Sequence, residues 1–120
     1  MSTNLEAILV SVWRQVLVDE ATTVNLGEHK VRVQKTSRSK LREVDFEFNG
    51  EKLRGLEQNP DTRSNWAKLA REGKKVMQFL RDGKYVANVI DGKVRFYGHS
   101  SALRSANCDI KTGGQLKPSL

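Results

Sequence analysis

The sequence from Lys75 to Tyr97 reads KVMQFLRDGKYVANVIDGKVRFY and contains two Asp-Gly pairs. Asp-Gly is a favoured dipeptide of two-residue hairpin turns, because both positions of such a turn need a residue that tolerates positive φ. Asp82-Gly83 and Asp91-Gly92 therefore divide the stretch into three antiparallel strands of about six residues each. We call residues 75–98 the second meander.

A first meander is predicted upstream, over residues 30–56. Apolar and acidic residues alternate from residue 43 to residue 48, as on a strand with one buried face. Asn49-Gly50 then supplies a hairpin turn. The preceding strand begins at Lys30, and its turn lies within residues 36–40.

The Asn49-Gly50 turn sets the cross-strand partners of this first meander. Pairing across it places Phe46 opposite Leu53 and Asp45 opposite Arg54. The acidic strand is therefore expected to lie between basic strands. Its predicted basic neighbours are Lys30, Arg32, Lys52 and Arg54.

Two helices are also predicted. Residues 4–18 carry apolar side chains at helical spacing, and Thr3 with Glu6 has the spacing of a capping box. A shorter helix is expected from about residue 62 to residue 72, ended by Gly73. Its inward-facing residues are predicted to be Trp66, Leu69 and Ala70, and the alternative role of Trp66 is a partner site.

These elements predict an α+β fold. The expected order is helix, three-stranded antiparallel meander, short helix and three-stranded antiparallel meander, with the helices packed on one face of the sheet. Residues 1–98 would form a single α+β domain. Residues 99–120 are polar and lack a hydrophobic period, so they are expected to form a mostly disordered basic tail.

Pairing across the two Asp-Gly turns assigns the faces of the second meander. The buried face is expected to carry Val76, Leu80, Tyr85, Ala87, Val89, Val94 and Phe96. The opposite face is expected to mix apolar with basic residues: Met77, Phe79, Val86, Ile90 and Tyr97 among Lys75, Arg81, Lys84, Lys93 and Arg95.

The positive charge is concentrated in the second half of the chain. The protein has 120 residues, with 21 Lys and Arg against 14 Asp and Glu, for a net charge of +7. Residues 1–59 contain nine basic and nine acidic residues, so the whole excess follows Pro60. Uncompensated positive charge attracts polyanions.

The mixed face of the second meander is the leading candidate for function. Aromatic rings among lysines and arginines suit base stacking combined with phosphate neutralisation. The sequence therefore predicts a small, soluble, non-enzymatic binding protein that contacts an anionic partner such as nucleic acid. The predicted contact residues are Lys75, Phe79, Arg81, Lys84, Lys93, Arg95 and Tyr97.

A protein-interaction module or a homo-oligomeric assembly module is the alternative prediction. It uses the same face, whose apolar members would be buried against a protein partner or a second copy in a homodimer. Those members are Met77, Phe79, Val86, Ile90 and Tyr97.

Catalysis, cofactors and metals are not expected. His29 and His99 are far apart in sequence, and Cys108 falls in the predicted tail, without a neighbouring base. A single cysteine excludes an intramolecular disulfide and favours a reducing compartment, so the predicted location is cytoplasmic. The most apolar run, residues 7–18, is interrupted by polar residues, and no membrane partner is expected.

Overall fold

The computed structural model describes residues 4–37 and 39–97 of the chain. Within them, helix α1 (Leu5–Trp13) continues into a π-helical turn (Arg14–Val18), and helix α2 (Asn65–Arg71) follows later in the chain. The strands are β1 (Thr23–Leu26), β2 (His29–Arg32), β3 (Gln34–Lys35), β4 (Arg42–Phe48), β5 (Glu51–Glu57), β6 (Val76–Arg81), β7 (Lys84–Ile90) and β8 (Lys93–Phe96).

The predicted α+β class is confirmed. Strands β3 to β8 form one six-stranded antiparallel sheet in sequence order, and β1 pairs with β2 in a separate hairpin. The two meanders are joined into one sheet because β5 pairs with β6. Helix α1 contacts β6, β7 and β8.

The three predicted hairpin turns have the expected backbone. Positive φ occurs at both central residues of the turns at residues 49–50, 82–83 and 91–92, with values between 50° and 86°. The register across the first of them is also confirmed, with Phe46 opposite Leu53 and Asp45 opposite Arg54.

Helix α1 supplies much of the core. Asn4 is its N-cap, because Asn4 Oδ1 accepts a hydrogen bond from Ala7 N at 2.8 Å. The expected cap, Thr3, lies outside the described residues. The helix buries Leu5, Leu9, Val12 and Trp13 against the sheet, and Trp13 Nε1 donates to Lys75 O at 2.8 Å.

The π-helical turn ties α1 to the β1–β2 hairpin. Gln15 Oε1 accepts from Asn25 N at 2.8 Å, and Gln15 Nε2 donates to Asn25 O at 3.0 Å. The side-chain amide of Gln15 thus satisfies both backbone groups of one strand residue, as a neighbouring strand would.

The predicted first strand differs from the observed one. Lys30 and Arg32 lie on β2, which pairs with β1, so they face Asn25 and Thr23 rather than the acidic strand. Among the described residues, only β3, two residues long, pairs with β4 on that edge. Strand β1 was not predicted, because its four residues are too short a run to produce a clear alternation in the sequence.

The predicted face of β6 is wrong, because the register shifts at a β-bulge between Phe79 and Leu80. Next to the turn, Leu80 pairs with Tyr85 as expected, but beyond the bulge Phe79 pairs with Ala87. One extra residue in β7 reverses the face of the β6 residues that lie beyond the bulge from the turn. Met77 and Phe79 are consequently in the core with 0% exposure, and Leu80 takes the opposite face with Tyr85.

Helix α2 is shorter than predicted and begins at Asn65. Its N-cap is Ser64, whose Oγ accepts from Ala67 N at 3.1 Å, and Gly73 ends it with φ 99°. We expected both helices on one face of the sheet. Helix α1 lies on the core face of the sheet. Helix α2 contacts β6, and its Trp66 packs on Arg95. Because Arg95 alternates along β8 with core-facing residues, Trp66 lies on the opposite face of the sheet.

No helix in the described part of the chain has both the length and the apolar character to cross a membrane. The predicted tail, residues 99–120, lies outside the described residues, as do His99 and Cys108 within it.

Candidate functional site

The predicted contact residues do not form one cluster. Phe79 is in the core, where its ring meets Phe46 edge to face at a centroid distance of 6.1 Å. Lys75 and Lys93 lie near the Asp91-Gly92 turn, whereas the other basic residues are distributed along the strands towards the Asp82-Gly83 turn. Those residues are Arg81, Lys84 and Arg95.

An aromatic pair lies close to the Asp82-Gly83 turn. The rings of Tyr85 and Tyr97 have centroids 6.5 Å apart and planes inclined by 59°. Tyr85 was expected on the buried face, but it is 44% exposed because of the bulge. A groove of about 650 Å³ runs beside the pair; its lining is Arg81, Asp82, Lys84, Tyr85, Val86 and Tyr97.

The position of Tyr97 is fixed by two hydrogen bonds to β7. Its backbone N–H donates to Val86 O at 3.0 Å and so extends the pairing of β7 with β8. Its hydroxyl accepts a hydrogen bond at 3.3 Å from the Nδ2 of Asn88, which is fully buried. The ring is therefore positioned by the sheet and by a buried amide.

A cation and a tryptophan continue the surface on the same side of β8. The guanidinium carbon of Arg95 lies 5.5 Å from the centroid of the Trp66 ring, within the range of a cation–π interaction. Arg95 and Tyr97 are two residues apart, so their side chains leave the same face about 7 Å apart. We call the side chains of Tyr85, Tyr97, Arg95 and Trp66 the aromatic ridge.

The lysines beside the ridge are not neutralised by neighbouring carboxylates. Among the described residues, no carboxylate lies within 4.0 Å of the charged groups of Lys84, Lys93 or Arg95. Arg81 differs, because its Nη1 is 3.5 Å from Glu51 Oε1. Lys84, Lys93 and Arg95 are therefore the cations best placed to meet an anionic partner.

Much of the charge on β4 and β5 is paired internally. Arg54 Nε lies 2.7 Å from Asp45 Oδ1 and its Nη1 lies 4.0 Å from Glu43 Oε1, as the register predicted for the Arg54–Asp45 pair. These pairs are exposed, so each contributes about 0.2 to 1 kcal/mol.

The ion pair of Arg42 and Glu57 is more enclosed. Arg42 Nε and Nη2 each lie 3.0 Å from an oxygen of Glu57, and Arg42 Nη1 donates to Val16 O at 2.9 Å. Partial burial raises the pKa of Glu57, but hydrogen bonds from the side chain and backbone of Arg42, with the Arg42 charge, outweigh this effect. The pKa of Glu57 is therefore lowered, and three charged residues that line the adjoining cleft of about 240 Å³, Arg42, Glu57 and Lys74, already have partners.

Metal-binding chemistry has no candidate in the described residues, which contain no group of three His, Cys, Asp or Glu side chains able to hold an ion. His29 is exposed at the start of β2, opposite Leu26. Comparisons with protein-family models, with curated proteins and with solved structures give no significant match.

Sequence reasoning missed Tyr85, and it gave Trp66 a partner site only as the alternative to a place in the core. The face of Tyr85 followed from an unbroken register, and only the bulge corrects it. Trp66 was expected to point inward from its helix, and its contact with Arg95 depends on where α2 lies against the sheet. Its proximity to Lys68 and Arg71 within a basic helix is the one signal in the sequence that favours a surface role.

Proposed function

We propose that this protein is a non-enzymatic nucleic-acid-binding protein whose contact surface is the aromatic ridge with Lys84 and Lys93. The observation that carries the proposal is the presence, around one groove, of a tyrosine pair, with Tyr85 exposed and Tyr97 half-buried, and of cations without carboxylate partners in the described structure. Phe79, being buried, has no place in the proposed contact.

The charge distribution supports a polyanionic partner. Residues 60–98 contain nine basic and four acidic residues. Of the acidic four, Asp91 is engaged by Lys74 at 3.6 Å and by the backbone N–H of Lys75 at 3.2 Å. Residues 60–98 thus carry an excess of five positive charges, which favours a polyanionic partner, and phosphate binding would release counterions from the nucleic acid.

Salt dependence gives the proposal a measurable signature. Three phosphate contacts, from Lys84, Lys93 and Arg95, would give log affinity against log salt a slope of about −2 to −3. We would measure this slope by fluorescence anisotropy with a labelled oligonucleotide, from low to physiological salt. Affinity that does not change with salt would contradict the proposal.

Charge reversal locates the surface. Lys84→Glu and Lys93→Glu should each weaken binding and make the slope shallower by about 0.7 to 0.9 or more. Lys30→Glu is the matched control, because Lys30 is also exposed but lies on β2, outside the ridge. Equal losses in all three variants would show that the ridge is not the binding surface.

The assembly alternative has less to support it. Three of its apolar members, Met77, Phe79 and Val86, belong to the core of this chain. Of the apolar residues predicted for that interface, only Ile90 and Tyr97 lie outside the core, which is a small apolar area for a stable interface. We therefore favour nucleic acid as the partner.

A further inference from the structure

We infer that the ridge selects single-stranded nucleic acid, with successive bases stacked on Tyr85 and Tyr97. This inference rests on the proposed function and adds the class of nucleic acid to it. It also assigns the two tyrosines a role that charge alone would not require.

The ring geometry favours two bases over one. Parallel rings at a separation of about 7 Å would hold a single base between them, since stacked bases are spaced about 3.4 Å apart. The planes of Tyr85 and Tyr97 are instead inclined by 59° at 6.5 Å. Each ring therefore offers its own face, and consecutive bases must splay apart to use both.

A duplex cannot make these contacts. Inside a double helix both faces of each base are covered by neighbouring base pairs, so an aromatic side chain on a sheet surface reaches base edges, sugars and phosphates but no base face. Unstacked bases of a single strand have free faces. Rings fixed on a strand, such as Tyr97 over Asn88, suit that substrate because they lose little conformational freedom on binding.

The cations define where the backbone of the strand would run. Arg95 follows Tyr97 along the same face of β8 and is oriented by the Trp66 ring, and Lys93 lies two residues further. A strand stacked on the tyrosines at the Asp82-Gly83 end would thus place its next phosphates at Arg95 and Lys93. Lys84 lines the same groove as Tyr85, at the start of this path.

The test compares single strands with a duplex, using labelled oligo(dT), oligo(rU) and a mixed-sequence DNA duplex with the full-length protein. We expect both single strands to bind more tightly than the duplex. Tyr85→Ala should weaken single-strand binding about tenfold or more, as loss of a stacked base does, and leave the salt slope unchanged. Tyr85→Phe is the control, because it keeps the ring and should retain most of the affinity.

Tyr97 is tested by Tyr97→Phe, which removes the hydrogen bond to Asn88 and keeps the ring. Near-normal binding by Tyr97→Phe, with a loss of about tenfold or more for Tyr97→Ala, would support stacking as its role, whereas equal binding by both variants would contradict it. Tighter binding to the duplex, with no effect of Tyr85→Ala, would overturn the inference while the lysine variants and the salt slope still support the proposed function. Absence of binding to all three probes at low salt would contradict both.

Discussion

The ring of Phe79 lies so close to the backbone of Gly55 on the neighbouring strand that a Cβ at residue 55 would be 3.0 Å from Phe79 Cε1. The same Cβ would be 3.1 Å from Met77 Sδ. Both neighbours are fully buried, and Gly55 pairs directly with Phe79 across β5 and β6. The glycine is needed here for close approach, so that a large ring fills the core at the join of the two meanders.

Gly55→Ala should therefore destabilise the protein. Overpacking a filled core costs about 1 to 3 kcal/mol, which exceeds the gain from a less flexible unfolded chain. The change would be read from the urea-induced unfolding midpoint. Lys52→Ala, on an exposed position of the same strand, serves as the control and should shift the free energy of unfolding by less than about 0.5 kcal/mol. A stabilised Gly55→Ala variant would contradict this packing.

Phe79 and Tyr85 lie on opposite sides of the sheet, so truncating their side chains should have unequal effects on the free energy of unfolding. Phe79→Ala should lower the free energy of unfolding by about 3 to 5 kcal/mol, because it leaves a cavity in the core. Tyr85→Ala should lower it by about 1 kcal/mol or less, since that side chain is 44% exposed. Similar losses for the two variants in urea unfolding would mean that the bulge and the resulting faces are incorrect.

The sequence identified the turns more reliably than the faces. Asn49-Gly50 and the two Asp-Gly pairs require positive φ, and this local requirement is met at all three turns. A bulge has no such marker here, because the residues around Phe79 and Leu80 contain no glycine or proline. Counting residues from the Asp82-Gly83 turn therefore predicts the correct register as far as Leu80. For the β6 residues beyond the bulge, it predicts the wrong face.

The bulge and the position of α2 also account for the differences between the predicted contact residues and the proposed surface. Lys84, Lys93 and Arg95 follow from composition and exposed position alone, and they remain in the proposed surface. Tyr85 replaces Phe79 because the bulge reverses their faces. Trp66 enters only through the tertiary contact of α2 with the sheet, which no local pattern in the sequence specifies.

The Arg42–Glu57 ion pair predicts a pH-dependent contribution to stability. The pKa of Glu57 is lowered from its ordinary value of 4.5 in the folded protein, so folding favours the charged carboxylate. This contribution is complete above the unfolded pKa and is lost as the pH falls from about 4.5 through the folded pKa.

Glu57→Gln tests this contribution. The variant should be less stable than the parent protein by about 1 to 2 kcal/mol at pH 7, because the charge-assisted hydrogen bonds to Arg42 are lost. The difference should shrink between pH 4.5 and pH 3, measured by urea unfolding at each pH. Asp45→Asn, at an exposed pair, should have an effect of less than about 1 kcal/mol at pH 7. A Glu57→Gln difference that stays constant with pH would contradict the role of this carboxylate.

The side chain of Gln15 joins the β1–β2 hairpin to the π-helical turn. We predict that this hairpin can open while the six-stranded sheet stays folded. The Gln15 amide bonds both backbone groups of Asn25, and Val33 N donates to Thr22 O at 2.9 Å at the open end of the hairpin. Gln15→Ala removes the first of these connections. Each lost hydrogen bond is worth about 0.5 to 1.5 kcal/mol, so the amides of residues 23–32 should exchange about tenfold faster.

Residue-resolved hydrogen exchange measures this opening, with the amides of β4 to β7 as the internal reference. Gln15→Glu is the discriminating variant, because it keeps an acceptor for Asn25 N and loses the donor to Asn25 O. Its effect on the hairpin should lie between those of the parent protein and Gln15→Ala. If every amide in both sheets accelerated by the same factor, the hairpin would open only in global unfolding, and the amide of Gln15 would stabilise the whole fold rather than this one element.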